Sequence, residues 1–171
     1  MSAPGVAGVS RDGGGRPGAD DVTIAPLHDL AAMRRLGVAC GLEDEGRDDA
    51  GVLAAWGASA GGVLVGALCL EREEGLDTVN WLAVDERYRR RGIATGLYRE
   101  LEREARARGI RRLLVTARAP AFFLAQGFGP LPPGRERDVL LGGCFECHQF
   151  ARTCEPRALA KALEETTPTD R

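Results

Sequence analysis

The apolar positions change period several times along the chain, and each change marks a new element. Residues 22–27 alternate and predict a strand. Residues 28–40 place Leu30, Met33, Leu36 and Val38 on one helical face, and Gly41 would stop that helix. Two apolar runs, 52–58 and 63–70, are separated by Ser59-Ala60-Gly61-Gly62 and predict a β-hairpin with a glycine-rich turn. A second turn over 71–75 leads into another antiparallel strand, 76–84, in which Trp81 is assigned to the core. Between 95 and 108 the period is helical again: Leu97, Leu101 and Ala105 share a face. Glu102–Arg106 and Glu104–Arg108 form i,i+4 pairs on the solvated side, each worth about 0.3 kcal/mol. Gly109 ends this helix, residues 112–116 predict a buried strand, and Pro120 opens a short helix through 125 that Gly127-Phe128 closes.

Composition sets the limits around this core. A chain of 171 residues suits one folded unit, expected over 21–165. Residues 1–20, rich in Gly, Pro, Ala and Ser, and residues 166–171 are expected to be disordered tails. A net charge of -2 argues against a nucleic-acid partner, and no apolar run is long enough for a membrane span. Five cysteines without a signal pattern point to a reducing cytoplasm. Lys161 is the only lysine, so the positive charge is almost wholly arginine.

The chemistry concentrates in residues 85–96, Asp-Glu-Arg-Tyr-Arg-Arg-Arg-Gly-Ile-Ala-Thr-Gly, set between a strand and a helix. A basic, glycine-bearing turn that feeds a helix N-terminus aims backbone N–H groups and the positive end of the helix dipole at one point, which suits a phosphate. Gly92 permits close backbone approach, Ala94 keeps the helix entrance open, and Arg87, Arg89, Arg90 and Arg91 suit a pyrophosphate. Within this stretch neither GxGxxG nor a following GK[ST] occurs, so it is neither a dinucleotide fingerprint nor a P-loop.

Arg89-Arg90-Arg91-Gly92-Ile93-Ala94 resembles the acyl-CoA loop [QR]-x-x-G-x-[GA] of the GNAT acetyltransferase superfamily. The Leu82-Ala83-Val84 run before it, and the helix, strand and Phe-Phe-x-x-x-Gly-Phe segment after it, extend the resemblance over roughly residues 22–130. It implies an α/β acyl-CoA N-acyltransferase fold, with a mixed, mostly antiparallel central sheet flanked by helices. It implies acetyl-CoA as cosubstrate and a small-molecule amine as acceptor, and it is compatible with a homodimer. The pantetheine arm would pair with backbone of Leu82, Ala83 and Val84, one of whose N–H groups would polarise the thioester carbonyl. The pyrophosphate would lie on the amides of Arg90, Arg91, Gly92, Ile93, Ala94 and Thr95, with Arg89 beside them as a further cofactor-binding residue.

Three departures bear on catalysis. Phe123 stands where many members have the tyrosine that protonates the leaving thiolate. Thr116-Ala117-Arg118 replaces a frequent Asn, and the strand before the loop offers Asn80 but no carboxylate. The catalytic acid and base are therefore unassigned. Glu71, Glu73 and Asp77 are candidates only through water and are expected to be surface turn residues. Arg118 is a candidate for holding an acceptor carboxylate, or else an exposed loop arginine. The acidic stretch 43–51 is expected to be a solvated connection or, by the resemblance, a wall of the acceptor pocket.

The C-terminal segment carries Cys144-Phe-Glu-Cys147-His148 and Cys154. The chain resembles the short, single-domain N-acetylglutamate synthase-like subgroup, which ends in such a Cys-x-x-Cys tail before a last helix. The resemblance makes an amino acid such as glutamate the preferred acceptor. A resistance-type enzyme for a toxic amine, and a non-catalytic acyl-CoA-binding or metal-sensing regulator, are the alternatives. Cys144, Cys147, His148 and Cys154 are candidate zinc ligands, but their spacing is cramped for a closed site, and thiols that pack under the last helix are preferred.

Overall fold

The computed structural model describes residues 21–44, 46 and 48–164, so the expected tails, 1–20 and 166–171, lie outside the described residues. The elements follow in the order β1 (Val22–Pro26), α1 (Leu30–Ala39), β2 (Val52–Ala60), β3 (Val63–Glu73), β4 (Leu76–Val84), α2 (Ile93–Ala107), β5 (Arg112–Ala117), α3 (Pro120–Ala125), β6 (Gly129–Pro130), α4 (Arg135–Gly142) and β7 (Arg157–Ala162). The seven strands form one sheet, ordered β1-β2-β3-β4-β5-β7-β6. Every neighbouring pair is antiparallel except β4 and β5, which run parallel. This is the mixed, mostly antiparallel α/β architecture expected from the sequence.

β3 is buried on both faces, and its alternation sorts the core into layers. Leu68 and Leu70 join Val65, Val79, Leu97, Leu101 and Ala105 in the main cluster beneath α2. Ala67 and Cys69 join Met33 and Ala55 beneath α1, with Trp81 packed against them. Asp29 caps α1, accepting a bond from Ala32 N–H at 2.8 Å. The β2–β3 hairpin turns on Gly61 and Gly62, whose φ angles of 57° and 79° place both in the left-handed region. A two-residue turn with that backbone follows the strand twist, and only glycine adopts it twice in succession without strain.

Three sequence expectations require correction. β3 runs through Glu73, so the turn is shorter than 71–75, and Glu71 is a buried strand residue, only 7% exposed, rather than a surface one. The segment after the cysteines forms β7, not a helix. Arg-Ala-Leu-Ala-Lys-Ala has good helical propensity, but it meets the open edge of β5 and pairs along its whole length, from Arg112↔Ala162 to Ala117↔Arg157. α4, a helix not among the elements expected above, covers Leu76, Leu114 and Ala158 on the sheet face opposite α2.

β7 also changes the character of α2's outer side. The expected Glu102–Arg106 and Glu104–Arg108 bonds are present, each at 2.7 Å. Glu102, however, is largely covered, because Lys161 of β7 donates to its other oxygen at 2.7 Å. Burial opposes ionisation of Glu102, but bonds from Lys161, Arg106 and Tyr98 outweigh it and hold the carboxyl at about 2. Burial and the neighbouring Glu102 push the Tyr98 hydroxyl well above its ordinary value. A carboxyl whose folded pKa lies below its unfolded value, about 4.3, stabilises the fold fully above that value and loses its contribution as pH falls toward 2. Urea midpoints should therefore drop between about pH 5 and pH 2, and Glu102→Gln should flatten that limb. An unchanged limb in the variant would assign acid sensitivity to other groups.

Candidate active site

β4 and β5 part almost as soon as they meet. Their register is the single pair Thr78↔Leu114, beyond which β4 stays with β3 as far as Val84↔Gly66. The separation is helped by a bulge in β4: Ala67 opposes Ala83 and Cys69 opposes Asn80, so Leu68 faces both Trp81 and Leu82. Trp81 takes the extra residue's place with φ of 55°. Its ring lies over Gly37 of α1, where a Cβ would come within 2.6 Å of it. The bulge resets the alternation, so Leu82 and Val84 pack with the main core while Asn80 and Trp81 serve the other face. The fork thus opens a backbone edge over Leu82, Ala83 and Val84.

The basic loop continues from that edge. Asp85 accepts from Arg87 N–H at 3.0 Å and from the Arg87 guanidinium at 2.9 and 3.1 Å, and these bonds hold its carboxyl below the usual range. Arg89 Nε donates to Val84 O at 3.0 Å. Arg91 donates to Arg87 O at 3.1 Å and stacks 5.1 Å from the Tyr88 ring. Three of the four arginines therefore brace the loop, and Arg90, with φ of 62°, has no partner among the described residues. Gly92, at φ of 75°, turns the chain into α2, whose first bond is Gly96 N–H to Gly92 O at 2.9 Å. The amides of Ile93, Ala94 and Thr95 precede that bond and point out of the helix end. Free amides, a helix dipole and arginine charge suit a diphosphate, and the open β4 edge suits an amide-bearing chain.

On the face opposite α2, a cavity of about 310 Å³ lies at the fork, lined by Thr78 and Asn80 of β4, Thr116 of β5 and residues of α4. Thr116 Oγ1 donates to Leu140 O at 2.9 Å and fixes α4 over it. Asn80 Nδ2 donates to Glu71 Oε2 and to Thr78 Oγ1, the latter at 3.2 Å. Asp77 pairs with Arg72 at 2.7 Å, away from this cluster.

The remaining candidates fall elsewhere. Arg118 donates to Gly41 O and ties the end of β5 to the end of α1. Gln149 reaches the same segment, bonding Glu43 at 2.7 Å, and His148 lies 3.2 Å from Glu43. Among the described residues no three His, Cys, Asp or Glu groups assemble to hold an ion, so Cys144, Cys147, His148 and Cys154 are not gathered. Phe123 is buried, with edge contacts at 5.1 Å to Phe122 and 5.4 Å to Phe128. Phe123→Tyr should hold or raise kcat, because the native ring has no proton to give, and lower stability by about 1 kcal/mol if the added hydroxyl lacks a partner. A large fall in kcat at unchanged stability would mean that the ring shapes the pocket.

The forked sheet and the basic, glycine-started helix at its mouth together offer one continuous place for a diphosphate and an amide-bearing chain. The chain belongs to the acetyltransferase (GNAT) family, whose profile matches residues 26–128. It is accordingly an acetyl-CoA-dependent acetyltransferase. No curated protein matches it. Among solved structures, the acetyltransferase of the GNAT family from Staphylococcus aureus Mu50 is similar at 13% identity and a TM-score of 0.63, covering 84% of this chain and 99% of that one. The ribosomal-protein-S18-alanine N-acetyltransferase from Escherichia coli is similar at 18% identity and 0.63, covering 88% and 99%. The N-acetylglutamate synthase from Neisseria gonorrhoeae, complexed with coenzyme A and L-arginine, is similar at 19% and 0.60, covering 84% of this chain and 33% of that one.

Proposed function

We propose that the chain moves an acetyl group from acetyl-CoA to the amine of a small molecule, with an amino acid such as glutamate as the first acceptor to test. The observation that carries the reading is the fork, with its open Leu82–Val84 edge, continuous with the free amides of α2. Arg89, Arg90, Arg91, Gly92, Ile93, Ala94 and Thr95 hold the diphosphate. The Leu82–Val84 backbone holds the pantetheine arm and, through one N–H, the thioester carbonyl. Bound acetyl-CoA supplies an activated acetyl group; the protein aligns it and must supply a neutral amine. The five cysteines, none of them in a disulfide among the described residues, support a reducing, cytoplasmic setting.

The amino-acid choice follows the Cys-x-x-Cys resemblance to the short synthase-like subgroup, although β7 stands here in place of the last helix, and the likeness to the Neisseria enzyme. A second reading, a small cationic amine, is favoured by the cavity wall. Glu73, Glu74 and Asp138 line it, and no Lys or Arg does so among the described residues. Free-thiol release from acetyl-CoA, measured against glutamate, other amino acids and short diamines, tests both. Turnover with glutamate supports the first reading, and turnover confined to diamines supports the second. No turnover with any amine overturns both.

A further inference from the structure

Glu71 is a carboxylate placed where a soluble protein seldom leaves one. It is 93% covered, which is the complement of its 7% exposure, and among the described residues no Arg, Lys or His pairs with it. One oxygen accepts from Asn80 Nδ2, and the other has no hydrogen-bond partner among the described residues. A buried charge without a cation carries a desolvation cost that a structural role does not recover. The site is set with care nonetheless. Glu71 opposes Thr78 across the β3–β4 ladder, Thr78 Oγ1 donates to Glu71 O at 3.3 Å, and Asn80 spans Glu71 and Thr78. Thr78 and Asn80 in turn line the cavity at the fork.

We propose that Glu71 is the proton acceptor for the acceptor amine, reached from the cavity through one water beside Asn80. The inference rests on the acetyl-transfer reading above and adds the base that β4 lacks. The incoming ammonium gives one proton through the water to the Glu71 carboxylate. The neutral nitrogen forms its bond to the acetyl carbon, and the carbon–sulfur bond breaks with its electron pair on sulfur. The thiolate takes the second nitrogen proton, and Glu71 returns its own to solvent. The charged groups that act on its strand neighbour Cys69, beside Glu71 itself, are Asp49 before β2 and Arg34 on α1, and Arg34 is bonded to Asp49 rather than to Glu71. Its strand neighbour Cys69 is held in the thiol form by burial and by the Glu71 and Asp49 charges.

The test measures kcat and KM for Glu71→Gln from pH 6 to 9, with whichever amine the wild type acetylates. The expected result is a fall in kcat of about 100-fold near neutrality with acetyl-CoA KM nearly unchanged. The deficit should narrow as pH rises and the amine deprotonates unaided. A kcat within twofold of wild type, or a loss that is flat across pH, overturns the assignment. Should Glu71→Gln fail to bind acetyl-CoA, Asn80→Ala decides. Losing the donor to Glu71 favours its neutral form, so the acid limb of kcat/KM should move to higher pH, and an unmoved limb overturns the proposal. Wild-type inactivity with every amine would instead remove the reading on which this one rests.

Discussion

Gly92→Val is expected to weaken acetyl-CoA binding by about 100-fold, about 2.7 kcal/mol, while the sheet and α2 remain folded. Inside the protein the substitution has room, because a Cβ at Gly92 meets no heavy atom within 4 Å. The cost arises in two other ways. The residue sits at φ of 75°, which a β-branched side chain adopts only under strain, so the loop should shift and misalign the amides of Ile93, Ala94 and Thr95. The open space is also the approach path of the diphosphate, which the added methyls would fill. Titration calorimetry with acetyl-CoA, beside a circular-dichroism melt, checks both halves. Normal affinity in a folded variant would remove this loop from the binding site.

Leu101→Ala is expected to cost about 3 kcal/mol of stability. Leu101 is fully buried at the centre of α2, in the cluster that joins the helix to β2, β3, β4 and β5. Removing its branch leaves a cavity that rigid strands on the other side cannot close. For a domain of this size the melting temperature should fall by roughly 9 °C. Acetyl-CoA should then rescue part of the loss by mass action, because α2 carries the anion-binding amides. A loss below about 1 kcal/mol would mean that the helix is free to settle inward.

The fold is legible in the sequence where one residue pattern has one structural consequence. The i, i+4, i+8 stripe Leu97–Leu101–Ala105 buried as predicted, and Gly61-Gly62 turned the hairpin where glycine alone is at ease. It is hidden where distant chain decides. Arg157–Ala162 is helical by propensity and a strand by virtue of β5's vacant edge, which no local pattern reveals. Glu71 looked like the start of a turn because Glu73-Glu74-Gly75 follow it closely. Its burial is set by register against Thr78, a fact of pairing rather than of composition. The bulge at Trp81 leaves no mark in Asn-Trp-Leu-Ala, so the Leu82–Val84 backbone was expected as a binding edge through family resemblance instead. α4 did announce itself: two prolines and Gly134 precede acidic first-turn residues and an apolar Val-Leu-Leu.

The position of β7 has a consequence for the chain's own synthesis. β5 is complete at residue 117, yet the strand that seals its far side begins only at residue 157. During that interval a growing chain carries a hydrophobic edge with unpaired amides and carbonyls, the form in which strands recruit neighbouring copies. A ribosome adding roughly 5–20 residues per second leaves this edge bare for seconds. α4 and the cysteine-bearing segment are made in that window and can shield only one face of the sheet. The last pairing is also the most distant in sequence, so its loop-closure cost falls late and sets a slow final step. Cellular yield of this enzyme should therefore depend on how quickly residues 157–162 leave the exit tunnel, and much less on the early hairpin.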